Sequence, residues 1–149
     1  MKENYTVIKE TFDTNTGITT VTINTDFGAF TGTTAMDDID AAYPSVHHAY
    51  AIALAKAQRK WAKAMIIICR EKVRALEGII KQFPICSNPQ PGSHEAQLVR
   101  MALEEAAHQL YLWTKRRDVM SEYITDRIKS RDKIVEKYNL QKSITDKND

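Results

Sequence analysis

The sequence predicts an α+β fold: a small N-terminal antiparallel β-sheet followed by two long antiparallel α-helices that form a helical hairpin. Before residue 44, threonine is abundant and lysine and arginine are rare. After Pro44, apolar residues recur every three or four positions, and a proline-rich link at residues 84–92 divides this helical part in two. We expect a single domain. Its predicted parts are a β platform (1–43), a first helix (44–83), a turn (84–93), a second helix (94–139) and a polar tail (140–149).

Three strands are predicted in the first 35 residues. Residues 5–12 and 18–25 are rich in Val, Ile, Thr and aromatic residues, which favour strands. The segment between them, Asp-Thr-Asn-Thr-Gly, is typical of a turn, and Gly17 suits a positive φ there. The two segments therefore predict a hairpin, and residues 27–35 alternate again as a third strand.

The glycines of the third strand, Gly28 and Gly32, raise the question of a phosphate-binding loop. The segment lacks the Lys-Ser/Thr pair with which a P-loop contacts terminal phosphates and magnesium. Its spacing also differs from the dinucleotide-binding fingerprint. We interpret it as a strand whose glycines let a neighbouring backbone or a bulky ring approach closely.

Both helices are predicted from an apolar stripe with helical spacing. Pro44 suits a first helical turn, Pro84 ends the first helix, and Ser93 is a candidate N-cap of the second. The stripe of the first helix contains Val46, Tyr50, Ala53, Ala57, Trp61, Ala64, Ile68, Leu76, Ile80 and Phe83. That of the second contains Val99, Leu103, Ala106, Leu110, Trp113, Met120, Ile124, Ile128, Ile134 and Tyr138.

Other apolar residues fall outside this stripe and predict self-association. A hairpin of two helices has one seam, and large apolar patches are rarely left in contact with water. These residues therefore need another partner, and a second copy of the chain is the one we expect. The residues are Ile66, Ile67, Val73, Ile79, Leu98, Leu112 and Val119.

The composition indicates a folded protein without a general affinity for nucleic acid polymers. Hydrophobic residues make up 43% and charged residues 27% of the chain, and the net charge is only +2. The longest apolar run, residues 64–69, is far shorter than the ~20 residues of a membrane span. The polar start lacks the apolar region of a signal peptide, so we expect a cytoplasmic protein. Cys69 and Cys86 are interpreted as free thiols, although two cysteines also permit a disulfide.

No metal site, cofactor or catalytic group is predicted. The acids between residues 37 and 40 lack the Gly and the distal Glu of a calcium loop and are interpreted as solvated acids or helix caps. His47 and His48 point about 100° apart on a helix. His94 and His108 lack the i, i+4 spacing of paired zinc ligands. No Ser, Cys or Thr lies in a recognisable nucleophile setting, so we do not expect an enzyme.

The turn between the helices is a candidate ligand site. Phe83 provides an aromatic face, Asn88 an amide, and Ser93 begins a helix whose free amides attract anions. This combination suits a nucleotide base with its phosphate. The alternative is that Phe83 packs the corner of the hairpin and the polar groups cap it.

Basic residues of the second helix allow two interpretations. Arg116 and Arg127 are three turns apart and roughly on one side, and Arg117 lies near the apolar stripe. An unpaired guanidinium there would be costly unless it meets an acid or an anionic ligand. One interpretation is an anion site built between chains. The other is a solvated charged face with ion pairs along the helix.

The order of elements and one short motif resemble a known family. A Thr- and Val-rich hairpin ends in GAFTGTTA at residues 28–35, an acidic pair follows at residues 37 and 38, and a polar turn joins two long helices. This resembles the first described family of phage-encoded anti-Thoeris sponge proteins. In that family a strand with a Phe-Thr-Gly-x-x pattern runs into an acidic segment before the first helix. The likeness covers most of the chain.

The resemblance implies a non-enzymatic homo-oligomer that binds cyclic ADP-ribose isomers and withholds them from the bacterial defence effector. Some members of the family also hold cyclic oligonucleotides at a separate site. By resemblance, Phe83 would be the stacking ring, Asn88 the amide, and Arg116 and Arg117 the phosphate-binding residues, with Arg100 in reserve. The pocket would lie at the junction of two chains, without a metal or cofactor.

We therefore expect a cytoplasmic phage protein that sequesters a cyclic nucleotide immune signal in the infected host cell. Its expected partners are that nucleotide and further copies of itself, with neither a membrane nor a nucleic acid polymer among them. The alternative function is a helical structural or adaptor phage protein that acts through protein–protein contacts. An enzyme is the third and least favoured reading.

Overall fold

A computed structural model describes residues 4–35, 48–82 and 94–148 of the 149-residue chain. Three strands, β1 (Thr6–Asp13), β2 (Ile18–Thr25) and β3 (Gly28–Ala35), form an antiparallel sheet in the order β1-β2-β3. Two α-helices follow, α1 (His48–Gln82) and α2 (His94–Asn148). This layout confirms the predicted α+β class of a small sheet followed by two long helices.

The predicted turn after β1 is confirmed. Gly17 has a φ of 70°, and its N–H donates to the carbonyl oxygen of Asp13 at 2.7 Å. The side chain of Asp13 accepts a second hydrogen bond from the N–H of Asn15 at 2.8 Å. This bond lowers the pKa of Asp13, since the charged carboxylate is the better acceptor.

A shorter turn connects β2 and β3. The Thr25 hydroxyl donates to the Gly28 carbonyl at 2.8 Å and accepts from the N–H of Phe27 at 3.1 Å. Gly28 has a φ of 115°, a conformation that side chains with a Cβ rarely adopt. The third strand therefore begins at this glycine, one residue later than predicted.

The pairing of β1 with β2 is interrupted by one extra residue. Val7 pairs with Ile23, and Lys9 pairs with Thr22, so Ile8 has no partner across the ladder. Such a bulge bends the strand and shifts the alternation of side chains by one position. Sequence periodicity alone did not predict it.

One face of the sheet rests directly on α1. Val21 and Ile23 are fully buried on this face. A Cβ atom added to Gly32 would lie within 2.6 Å of the backbone nitrogen of Ala57 and even closer to the carbonyl oxygen of Ala53. The strand backbone and the helix backbone are thus in contact at Gly32, which confirms the predicted role of a glycine that permits close approach.

A second face of α1 packs against α2. Ile52 and Ala55 form a buried cluster with Ile124, bordered by Met120, Tyr123 and Ile128. The N-terminal part of α1 is therefore covered on two sides, by the sheet and by α2. This explains why buried residues here outnumber those of a single apolar stripe: Ala49, Ile52, Ala53, Ala55, Ala57 and Trp61.

The predicted stripe of α1 is wrong at two positions. Ile68, placed on the stripe, is 42% exposed, whereas Ile66, placed off it, is 2% exposed. Met65 and Cys69 are also buried. The buried face therefore follows positions 62, 65, 66 and 69, because an ideal helix turns 100° per residue and a stripe read from residue 50 drifts over several turns. Five of the other residues placed off the stripe are exposed, as that placement predicts: Ile67, Ile79, Leu98, Leu112 and Val119. Val73, also placed off the stripe, is half-buried.

The predicted end of the second helix at residue 139 is too early, since α2 continues to Asn148. The residues predicted as a polar tail are therefore helical as far as residue 148. Loss of the apolar stripe suggested an end, but no Gly or Pro follows residue 92 to break the helix. The predicted start of the first helix at residues 44–47 lies outside the described residues.

The chain divides into two compact units: Met1–Trp61 with Asp118–Asp149, and Ala62–Arg117. The first unit contains the sheet and the cluster around Ile52. The second contains the rest of the buried apolar residues, which are Ala62, Met65, Ile66, Cys69, Ala106 and Trp113. The expectation of a single domain stays a prediction. Within the described residues, neither helix carries an apolar stretch long enough to cross a membrane.

Candidate functional site

The structure describes three of the five residues that the sequence nominated as ligand-binding. Arg100, Arg116 and Arg117 all lie on α2 within the second unit. Phe83 and Asn88 lie outside the described residues, so the predicted site in the turn between the helices stays a prediction.

Arg116 lies on the face of a buried tryptophan. Its guanidinium carbon is 4.6 Å from the centre of the Trp113 ring, which is 2% exposed. The two residues are three positions apart, which places them on the same side of an α-helix. A guanidinium over an indole is attracted by the ring quadrupole, at about 0.5–2 kcal/mol depending on exposure. The contact limits the orientations that Arg116 can adopt.

The side chains of the other two nominated arginines do not lie beside that of Arg116. Arg117 is half-buried like Arg116, but consecutive helical residues point about 100° apart. Arg100 is exposed and precedes Arg116 by 16 residues. At 1.5 Å per residue, this separation is about 24 Å along the helix. One phosphate group therefore cannot be bound by Arg100 and Arg116 of the same chain.

A pocket that the sequence did not predict lies in the first unit. Its volume is about 180 Å³. We call it the tyrosine pocket after its two aromatic residues, Tyr50 and Tyr123. It is lined by Tyr50, Ala51, Leu54, Ala55, Gln58, Met120 and Tyr123.

The spacing of the lining residues explains the pocket. Tyr50, Leu54 and Gln58 are four residues apart on α1, so their side chains follow one face of the helix. Ala51 and Ala55 lie beside this row, and their short side chains leave room between larger neighbours. The lining of the pocket therefore combines two short alanine side chains with aromatic rings and one amide.

A guanidinium borders one wall of the pocket. The carbon of the Arg127 guanidinium is 5.1 Å from the centre of the Tyr123 ring. Arg127 follows Tyr123 by four positions, again on one side of α2. The ring of Tyr123 therefore touches both the pocket and a positive charge.

Tyr50, on the opposite helix, is bound to the sheet. Its hydroxyl donates a hydrogen bond to the carboxylate of Glu10 on β1. Burial raises the pKa of Tyr50 first, and the hydrogen bond and negative charge of Glu10 raise it further. Both contributions favour the protonated hydroxyl, so Tyr50 stays a hydrogen-bond donor at neutral pH.

The size of the tyrosine pocket limits its ligand. Pockets that enclose drug-sized ligands occupy about 300–1,000 Å³. A volume of about 180 Å³ suits one flat ring system, not a complete nucleotide. Aromatic walls bind such a ring by stacking, and the Gln58 amide supplies both donors and an acceptor.

Other reactive groups form no comparable site among the described residues. Within residues 4–35, 48–82 and 94–148, no three His, Cys, Asp or Glu side chains come together to hold a metal ion. Cys69 is a free, buried cysteine. Burial raises the pKa of its thiol, while Lys72 acts in the opposite direction. The acids at residues 37, 38 and 40 and Cys86 lie outside the described residues.

The tyrosine pocket was missed because its residues looked like core. Tyr50 and Met120 fit the apolar stripe, and Tyr123, Gln58 and Glu10 belong to no motif. One signal in the sequence could have found it: the predicted hairpin brings Tyr50 and Tyr123 near each other, and Gln58 lies two helical turns after Tyr50.

No protein-family model, curated protein or solved structure matches the chain.

Proposed function

We propose that this protein binds and sequesters a small cyclic nucleotide of the cyclic ADP-ribose class, without converting it. The observation that carries the proposal is the tyrosine pocket, where two aromatic rings, one amide and a stacked guanidinium lie together. The resemblance to the anti-Thoeris sponge proteins points to the same ligand class from the sequence side.

The base of the ligand would enter the tyrosine pocket. Stacking of a base on an aromatic side chain contributes about 1–3 kcal/mol in single-stranded nucleic acid binders. Tyr50 and Tyr123 offer such faces, and Gln58 can hydrogen-bond to the edge of a base. The pocket volume then corresponds to the base, and the rest of the nucleotide lies outside the pocket.

The phosphates would be bound by arginines of α2. Arginine binds phosphate through a planar fork of donors. Arg127 already lies on the ring of Tyr123, which lines the pocket. Arg116, restrained in the same way on Trp113, would come from a second copy of the chain. A side chain that is restrained before binding loses less conformational entropy when a ligand arrives, which favours tight capture.

The proposal includes a homo-oligomer in which a second copy completes the site. Several apolar side chains of the second unit are exposed, among them Ile67 at 58% and Met101 at 65%. Surfaces of this kind mark contact sites. A second chain also resolves the 24 Å separation, because Arg100 of one copy and Arg116 of another can meet at one ligand.

Ligand retention tests the proposal directly. The purified protein is incubated with a panel of cyclic ADP-ribose isomers, freed of unbound nucleotide and denatured by heat. Mass spectrometry of the supernatant should find unmodified ligand in amounts comparable to the protein. Recovery of a converted product would contradict the non-enzymatic part, and the absence of retained nucleotide across the panel would contradict the whole proposal.

The alternative, a structural or adaptor protein, is favoured by the same exposed apolar residues. It predicts that Gln58→Met and Tyr123→Leu, which remove the polar and aromatic groups of the pocket, leave every activity of the protein unchanged. The nucleotide proposal predicts that both variants lose retention while keeping the helical content seen by circular dichroism. The two functions are therefore separated by one pair of variants.

A further inference from the structure

Glu10 is connected to the tyrosine pocket although it does not line it. Glu10 pairs with Val21, which is fully buried on the face of the sheet that meets α1. Directly paired residues of antiparallel strands share a face, so the Glu10 side chain also points towards α1. There its carboxylate accepts the hydrogen bond from Tyr50, whose ring lines the pocket.

The bulge at Ile8 allows this arrangement. Tyr5, just before β1, lies edge-on to Trp61 of α1, with ring centres 6.2 Å apart and an interplanar angle of 70°. Tyr5 and Glu10 are an odd number of residues apart and would face opposite sides of a regular strand. The extra residue at Ile8 shifts the alternation, so both side chains reach α1.

The contacts Tyr5–Trp61 and Glu10–Tyr50 are separated by similar distances along the strand and along the helix. Tyr50 and Trp61 are eleven residues apart on α1, or about 16 Å. Five residues of extended strand cover about the same distance. β1 is therefore fixed to α1 at two points, one of which is the wall of the tyrosine pocket. All eight residues of β1 are exposed. The ladder with β2 holds the backbone of the strand, and these two side-chain contacts connect it to α1.

We infer that Glu10 is a positioning residue for the tyrosine pocket: by holding the Tyr50 hydroxyl, it fixes the ring on which a ligand base stacks. The inference rests on the proposed function, since it assigns a role within the same site. A tyrosine without this bond would exchange between rotamers, and binding would have to order it. The hydrogen bond to a charged acceptor orders the ring before the ligand arrives.

Four variants separate this role from a general effect on folding. Glu10→Ala removes the acceptor, Glu10→Gln keeps an acceptor without the charge, and Tyr50→Phe keeps the ring without the hydroxyl. Thr11→Ala, at the neighbouring exposed position of the same strand, is the matched control. Binding is measured by NMR titration with adenosine, a base with a sugar but no phosphate, and by retention of cyclic ADP-ribose.

The expected result is a loss of affinity for adenosine of about five-fold in Glu10→Ala and in Tyr50→Phe, since an unrestrained side chain must be ordered on binding. Glu10→Gln should stay within about two-fold of the unmodified protein and Thr11→Ala should be unchanged, because both keep the bond. Since the two residues share one interaction, the double variant Glu10→Ala/Tyr50→Phe should bind no more weakly than either single variant.

A spectroscopic signature reports on the hydrogen bond itself, and circular dichroism at the same pH checks that each variant is still folded. The absorbance titration of Tyr50, taken as the difference between each protein and its Tyr50→Phe version, should shift towards pH 10.0 in Glu10→Ala. Glu10→Gln should show a smaller shift, because it loses the charge and keeps the hydrogen bond.

The outcomes are distinct for the two proposals. If the unmodified protein binds adenosine and Glu10→Ala binds it equally well, the role of Glu10 is overturned and the proposed function stands. If Glu10→Gln binds as weakly as Glu10→Ala, the charge and not the positioning is responsible, which also overturns the inference. If the unmodified protein binds neither adenosine nor any cyclic ADP-ribose isomer, the proposed function itself is overturned.

Discussion

Gly32 of β3 and Ala57 of α1 are in backbone contact: a Cβ atom on the glycine would lie 2.6 Å from the alanine nitrogen. No side chain lies between the sheet and the helix at this point. Because Ala53 and Ala57 already have the smallest side chains that a helix readily accepts, the contact can only be relieved by moving whole elements.

Gly32→Ala should therefore destabilise the protein strongly. The added methyl group overlaps backbone atoms, which cannot rotate away as a flexible side chain would. Overpacking of this kind costs about 1–3 kcal/mol, and we expect the upper end or beyond because the neighbours are backbone. Urea unfolding followed by circular dichroism measures the change.

Gly78→Ala is the matched control for the same substitution. Nothing lies within 4 Å of a Cβ atom at Gly78, which is exposed on α1. Alanine should stabilise the helix by about 0.5–1 kcal/mol, since glycine loses more backbone freedom on folding. Equal effects of the two substitutions would contradict the close contact at Gly32.

Replacing Arg116 and Arg117 together by alanine should abolish nucleotide retention and leave the oligomer intact. The reason is the loss of the two guanidinium groups that the sequence resemblance nominates for phosphate, of which Arg116 is part of the proposed site. Loss of the Trp113 contact should also lower stability by about 0.5–1 kcal/mol. The control is Arg70→Ala/Arg74→Ala, which removes the same charge from exposed positions of α1. Retention by the Arg116/Arg117 variant would place the site elsewhere.

The protein should run as an oligomer at micromolar concentration. Light scattering after size exclusion should give a multiple of the 17.0 kDa chain mass. Met101→Glu/Leu112→Glu places charges on exposed apolar positions of α2 and should shift the mass towards a single chain, because a buried unpaired carboxylate is costly. Lys115→Glu, at an exposed polar position of the same helix, should not. A single-chain mass for the unmodified protein would contradict the prediction.

Cys69 should react slowly with thiol reagents in the folded protein. Its side chain is buried, and burial raises the pKa of the thiol above 9.0, so little of the reactive thiolate exists at pH 8. In a Cys86→Ser chain, the rate with a disulfide reagent should rise sharply on denaturation. The control is Ile67→Cys in a chain without the native cysteines, where a 58% exposed position should react quickly.

The raised pKa of the Cys69 thiol also predicts how the stability of the fold depends on pH. The folded state favours the protonated thiol, so the contribution of Cys69 is fully present below the unfolded pKa and is lost as the pH rises through the folded value. Unfolding midpoints of the native and Cys69→Ala chains should therefore converge above pH 9. A constant difference between the two chains over this range would contradict the assignment.

The local features of the fold could be predicted from the sequence, and the long-range ones could not. Gly17 and Gly32 act as predicted because turn geometry and close approach are properties of the residue itself. The bulge at Ile8 depends on which residues of β1 meet α1, and no short window contains both partners. Ile66 is buried and Ile68 is exposed, the reverse of the prediction, for a similar reason. Which face of a long helix is buried depends on packing over many turns.

In the candidate site, too, local contacts could be predicted from the sequence and long-range contacts could not. Arg116 was nominated from its place on a basic helix, and it lies on an aromatic ring that the i, i+3 spacing provides. The tyrosine pocket joins residues more than 60 positions apart, Gln58 and Tyr123, with Glu10 behind them. In the sequence, each of these residues looks like a core or surface residue without a special role. Only the tertiary structure brings them together.

The bulge divides the β1 ladder into two pairs on the N-terminal side of Ile8 and five pairs on the other. Strand ends open more often than strand centres, so their amide hydrogens exchange with solvent sooner. Amides before Ile8 should therefore take up deuterium first, and exchange should slow at Lys9. Glu10 lies in the longer, later-opening ladder, so its bond to Tyr50 survives the fraying that releases the start of the sheet.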